Sequence, residues 1–191
     1  DGLATLSRER VGSEILKLLA APDPSPAVAG MRATGVLAAV MPGSDDRALA
    51  PLVELESKIG VESNAVRRLA ALGGDEGLHA RLRLSRKQSA RLKSIEKATQ
   101  LAAAEAGYRL GEEVARDGLL IAAASTGQQV DQDALVRAAR AAEMVFPMRA
   151  ADLMPELSGP PLGRALERLE QEWIDSGFAL TRGDLLKRAG K

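Results

Sequence analysis

The stretch Ser7-Arg8-Glu9-Arg10-Val11-Gly12-Ser13-Glu14-Ile15-Leu16-Lys17-Leu18-Leu19 places Val11, Ile15, Leu18 and Leu19 at the spacing of one helix face, with charges of both signs on the other side. Ser7 is positioned to cap the orphan amides, and Glu9 falls in the first turn, where the helix dipole favours an anion. A helix equipped in this way at the very start of a chain is expected to have been cut from a longer protein. The same chemistry continues through all 191 residues. Of the composition, 46% is hydrophobic, supplied mostly by Ala and Leu, and Tyr108, Phe146, Trp173 and Phe178 are the only aromatics. Aromatic-poor, Ala- and Leu-rich sequence of helical period predicts an all-α protein with no sheet and enough apolar surface to form a core.

Breakers divide the chain. Pro22-Asp23-Pro24-Ser25-Pro26 stops the first helix, because each proline fixes φ and pushes the preceding residue out of the helical region. Two short helices are expected over 27–33 and 36–41, then one begun by Ser44-Asp45-Asp46 and running to about Ile59, and one over 63–72 before Gly73-Gly74. Ser85 with Gln88 three residues on forms a capping box that opens a helix expected to reach about Ala106. Gly107 and Gly111 then mark a turn into the helix carrying Leu119, Leu120 and Ile121, and Asp131 caps the next. After the break at Gly159-Pro160-Pro161 come a helix from Pro161 to about Asp175 and a last one begun by the box Thr181/Asp184. This many short helices predict an elongated array divided as 1–72, 73–146 and 147–191.

No cysteine is present, which excludes disulfide scaffolds, thiolate metal sites and cysteine nucleophiles and makes a reducing cytoplasm the default location. Apolar runs such as Leu119 to Ala124 are too short to span a bilayer, so no membrane is expected as a partner.

Lys plus Arg and Asp plus Glu both total 26, so net charge predicts no polyanion binding, but the distribution does. Arg81, Arg83, Arg86, Lys87, Arg91, Lys93 and Lys97 lie in one short segment against Glu96 alone, a local charge of +6 that leaves −6 for the remainder. On a helical wheel Lys93 and Lys97 fall within about 20° of Arg86, with Leu92, Ile95, Thr99 and Ala102 opposite. Lys87/Arg91 and Lys93/Lys97 are like-charge pairs that each cost an isolated helix roughly 0.2–0.5 kcal/mol, a cost that a phosphate backbone explains and folding does not. The competing explanation is a solvated face neutralised by the acidic remainder.

Three segments in order carry a resemblance to the part of bacterial CCA-adding tRNA nucleotidyltransferases and their poly(A) polymerase relatives that follows the catalytic head. Ser7 to Leu19 resembles the neck, and Leu82-Arg83-Leu84-Ser85-Arg86-Lys87 is similar to the basic turn of the body. Asp152-Leu153-Met154, then Gly159-Pro160-Pro161-Leu162-Gly163-Arg164 and Trp173, resembles the tail. The resemblance implies lower neck, body and tail, which bind and orient the upper half of tRNA for a head that adds CMP and AMP. It implies phosphate contacts from the basic segment and bracing of the neck by Glu9, Arg10 and Glu14. It gives Gly159, Pro160, Gly163 and Arg164 as the tail motif, and Mg2+ and CTP or ATP as ligands of the head. A Gly-rich phosphate loop with the strand-borne Asp-x-Asp of that head, and the nucleotide-templating Glu-Asp-x-x-Arg, are not in this sequence. The chain alone is therefore expected to have no catalytic residues, no metal site and no cofactor. The same region of a poly(A) polymerase and a helical protein-interaction scaffold are the alternatives, and oligomeric state is open.

Other features read as structural. Asp131-Gln132-Asp133 has metal-binding spacing but sits at a helix start, so a cap and a first-turn acid are expected. Glu167 and Glu170 share a face and are expected to pair with Arg164 or Arg168. His79, the only histidine, reads as a surface or interface residue, and Gly73-Gly74 as a turn. With so few aromatics, single-strand stacking is not the expected mode, and shape recognition of folded RNA through phosphates and 2′-hydroxyls fits better.

Overall fold

The structure is a computed structural model and describes residues 8–190, all helix and connecting turn without a strand among them. Twelve α-helices follow in order: α1 (Arg8–Ala20), α2 (Ser25–Ala33), α3 (Val36–Val40), α4 (Leu49–Lys58), α5 (Ala65–Leu72), α6 (Leu78–Arg81), α7 (Arg86–Ala98), α8 (Ala103–Leu110), α9 (Glu112–Thr126), α10 (Gln132–Ala142), α11 (Gly159–Asp175) and α12 (Arg182–Arg188). The cap assigned to Ser7 lies outside the described residues. No helix among them is long and apolar enough to cross a membrane.

Three hydrophobic cores hold the array. Leu19, Val28, Leu37, Met41, Leu69, Leu82 and Leu92 fill the first. Leu52, Leu55, Ile95, Ala106, Ala115, Leu120 and Ala138 fill the second. Met148, Leu153, Leu169, Trp173, Ile174 and Leu185 fill the third. Helices α4 and α7 each feed the first two: Leu49 and Leu92 point into one, and Leu52 and Ile95 into the other.

Three local expectations are corrected. The single helix from Ser85 to Ala106 is two helices. Thr99 Oγ1 donates to the Glu96 carbonyl at 2.7 Å, and the Gln100 and Leu101 amides turn back to the Lys97 and Ala98 carbonyls. Ala102 is then extended and starts α8 on a new axis. Helix α4 begins at Leu49, not at Ser44, because Asp45 and Asp46 bind Arg47 and Arg32 instead of capping. Gly107 is no turn: it lies buried inside α8, where a Cβ would stand 2.1 Å from the carbonyl oxygen of Ala138 on α10. Only hydrogen lets the two backbones meet, and Gly111, at φ 85°, makes the turn.

Gly163 offers the contrast, since a Cβ there meets nothing within 4 Å. Chemical denaturation should show Gly107→Ala losing about 3 kcal/mol, the upper end of overpacking costs, and Gly163→Ala gaining about 0.5–1 kcal/mol of helix propensity. Equal effects at the two sites would contradict the close approach of α8 and α10.

All four aromatics converge to hold the tail. Trp173 meets Tyr108 edge-on at 5.4 Å, Phe178 at 4.8 Å and Phe146 at 5.5 Å between ring centroids. The Tyr108 hydroxyl donates to Glu170 Oε1 at 2.6 Å, and Arg109 binds the other oxygen of that carboxylate at 3.1 Å. Glu170 is therefore partnered from α8, not by Arg164 or Arg168, because the docking of α11 brings two α8 donors to it. Burial first, and then the Glu170 carboxylate, push the Tyr108 phenol from its ordinary 10.0 up to about 12. An unfolded tyrosine releases its proton near pH 10 and the folded one near pH 12. The contribution to stability is thus complete below pH 10 and disappears as pH rises through 12. Ultraviolet titration of the folded protein should show the phenolate appearing only near pH 12, and a midpoint near 10 would refute the Tyr108–Glu170 hydrogen bond.

Candidate nucleic-acid interface

Helix α7 is built to hold charge outward. Ser85 Oγ accepts from the Gln88 amide at 3.2 Å while Gln88 Oε1 accepts from the Ser85 amide at 2.9 Å, the expected capping box. Leu92 and Ile95 are fully buried and fix its inner face. Arg86, Lys87, Lys93 and Lys97 are exposed, as is Arg83 in the turn before the helix, where it takes a left-handed φ of 51°. Arg83 sits where a helix C-terminus calls for that conformation, with the Leu84 amide returning to the His79 carbonyl at 3.1 Å. None of these five cations makes an ion pair among the described residues.

Cations elsewhere are mostly held. Arg32, Arg47, Arg109, Arg137, Arg168, Arg182 and Arg188 each bind a carboxylate. The exposed, unpaired cations of α7 therefore stand out as a ridge. A cleft of about 620 Å³ runs beside it, between α7 and the 74–80 segment, with Ser89, Lys93 and Glu96 on one wall and Asp75, Glu76 and His79 on the other.

Two members of the predicted segment differ. Arg81 is paired with Asp75 at 2.9 Å on the surface. Arg91 is committed inward: it donates to Asp117 at 2.5 Å and to Glu113 at 2.8 Å and is only 22% exposed. Its wheel position, about 140° from Arg86, already turns it toward the core side. Arg91 is the end of a buried network that sequence reasoning missed. Arg67 donates to Asp117 at 2.9 Å, to Glu56 at 2.7 Å and to the Glu62 carbonyl. Arg68 grips the other oxygen of Glu56 and donates to the carbonyls of Leu19, Ala21 and Pro22, closing the C-terminus of α1. Arg67, Arg68, Glu56 and Asp117 are at most 3% exposed. A signal existed: Glu56 falls on the stripe of Leu52 and Ile59, and Asp117 on that of Val114 and Leu120. An acid on a core stripe requires a cation.

The three neck residues expected to brace are exposed on α1. Glu14 pairs with Lys17 of its own helix at 2.8 Å, not with a neighbouring helix, because the two stand one turn apart on an exposed face of α1. Arg10 and Glu14 border an apolar groove of about 560 Å³ formed by Val11, Ile15, Leu18, Met31, Val36 and Val40. In the tail motif, Gly159 and Pro160 form the first turn of α11, and Gly163 and Arg164 lie exposed beyond it. Asp131 caps α10 through the Ala134 amide at 3.1 Å, as expected. Among the described residues no group of three or more Asp, Glu or His side chains is arranged to hold a metal ion.

Fold and surface together define an all-helical protein with one unpaired basic ridge flanked by a cleft. Residues 1–47 match the family model described as the probable RNA- and SrmB-binding site of polymerase A, which supports RNA as the class of partner. Comparison with curated proteins and with solved structures found no match.

Proposed function

We propose that this chain is the RNA-holding part of an enzyme of the CCA-adding tRNA nucleotidyltransferase and poly(A) polymerase type, acting in the cytoplasm. The ridge of Arg83, Arg86, Lys87, Lys93 and Lys97 contacts the sugar-phosphate strands of the upper half of tRNA. The chemistry, with its magnesium and its CTP or ATP, belongs to a catalytic head whose residues are not in this sequence. The observation that carries the reading is the ridge, where five neighbouring cations stay unpaired while Arg81 and Arg91 at its margin are neutralised. The match over residues 1–47 supports the same family from an independent part of the chain. All four aromatics are committed to the tail core, which favours recognition of RNA shape over base stacking.

A tRNA transcript titrated by filter binding should show affinity falling linearly on a log–log plot against salt, each neutralised phosphate adding about 0.7–0.9 to the slope. Absence of binding at every salt concentration would leave the protein-interaction scaffold as the better reading. The same region of a poly(A) polymerase is the second reading, and the match to an RNA-binding site of polymerase A is the observation that supports it. The apolar groove of α1, α2 and α3 lies wholly inside the matched residues and is where a protein contact of the kind that description names would sit.

A further inference from the structure

We propose that the cleft between α7 and the 74–80 segment is a ribose-reading subsite, in which His79 recognises the 2′-hydroxyl of RNA and gives the ridge its preference for RNA over DNA. The inference rests on the ridge binding nucleic acid, and it adds a reader to what is otherwise recognition by charge alone.

The wall chemistry selects the ligand. Lys93, an unpaired ridge cation, stands on the cleft, where it can hold a phosphate. Glu76 and Glu96 also line the cleft, and neither has a cation partner among the described residues. Two free carboxylates repel a second phosphate, but they accept hydrogen bonds from hydroxyl groups. One cation followed by acceptors is the sequence of groups that suits a phosphate and its adjoining ribose.

His79 supplies the complementary donor. Its Nδ1 is buried without any hydrogen-bond partner. A neutral imidazole carries one N–H, and burying that donor at Nδ1 with no acceptor would cost more than placing it at Nε2. With the proton on Nε2, His79 offers the cleft that it lines an N–H donor. A 2′-hydroxyl can accept from Nε2–H and donate to a carboxylate at once, whereas a deoxyribose can do neither. The 2′-hydroxyl is the group by which a protein separates RNA from DNA.

The experiment uses the full chain and two hairpins of one sequence, one of RNA and one of DNA, titrated at matched salt. Wild type should prefer RNA by about tenfold, the worth of one or two hydrogen bonds. His79→Leu should remove most of that ratio without weakening DNA binding. His79→Gln, which keeps an N–H donor, should retain much of it, and Lys93→Ala should weaken both hairpins alike. Glu96 is exposed, so Glu96→Ala leaves the fold intact and reads the cleft independently; it should narrow the ratio about threefold by removing an acceptor. If His79→Leu and Glu96→Ala leave the ratio unchanged while binding stays salt-dependent, the ribose subsite is wrong and the phosphate ridge stands. If neither hairpin binds, both readings fall together.

Discussion

Asp117→Ala should lower the unfolding free energy by about 3–5 kcal/mol, the cost of removing one partner from a buried ion pair. The carboxylate is fully buried and receives Arg67 on one oxygen and Arg91 on the other. Its removal leaves the Arg67 guanidinium, only 2% exposed, without one of its two carboxylates. Arg67 cannot turn to solvent, because Glu56 and the Glu62 carbonyl hold its remaining nitrogens. Glu113→Gln is the control: its side chain is 62% exposed, and a surface pair of that kind contributes about 0–1 kcal/mol. Urea denaturation of both variants decides the matter. Similar small losses would show that the network carries no weight.

The triple variant Arg86→Ala/Lys93→Ala/Lys97→Ala should keep its stability and bind RNA much more weakly. These three side chains project from the outer face of α7, and their removal also relieves the Lys93/Lys97 repulsion, worth roughly 0.2–0.5 kcal/mol. Each phosphate no longer neutralised should reduce the slope of log affinity against log salt by about 0.7–0.9, so the triple variant should flatten it by about 2–3. At low salt that corresponds to an affinity weaker by one or more orders of magnitude. Arg91→Gln should behave in the opposite way, costing stability through Asp117 while leaving the salt slope unchanged. A triple variant with wild-type salt dependence would end the assignment of the ridge.

Much of the helical order was legible because its causes are local. Ser85 with Gln88, Asp131, and Thr181 with Asp184 cap the helices they were expected to cap, since a cap needs only the backbone amides of the next turn. The outward face of α7 was legible for a related reason: Leu92 and Ile95 leave Arg86, Lys93 and Lys97 no other direction. The errors occurred where a distant segment decides. Thr99 and Ala102 break the expected long helix so that α8 can lie against α10, and the reason for Gly107, the backbone at Ala138, lies on α10 and not in its own segment. Arg67 and Arg68 look like surface charges until Glu56 and Asp117 arrive from α4 and α9. The cleft likewise needs two segments, and His79 shows its orphaned nitrogen only once the second is in place.

By itself, then, the sequence determined that the chain is helical throughout, where most helices start and stop, and that one short stretch carries an excess of positive charge. Periodicity, caps and proline breaks act within a turn or two and need no partner. Only the tertiary structure decided which of those charges are free. Whether a guanidinium faces water or a buried carboxylate depends on side chains up to fifty positions away, as Arg67 and Asp117 show, and desolvation makes that pairing obligatory once the helices pack.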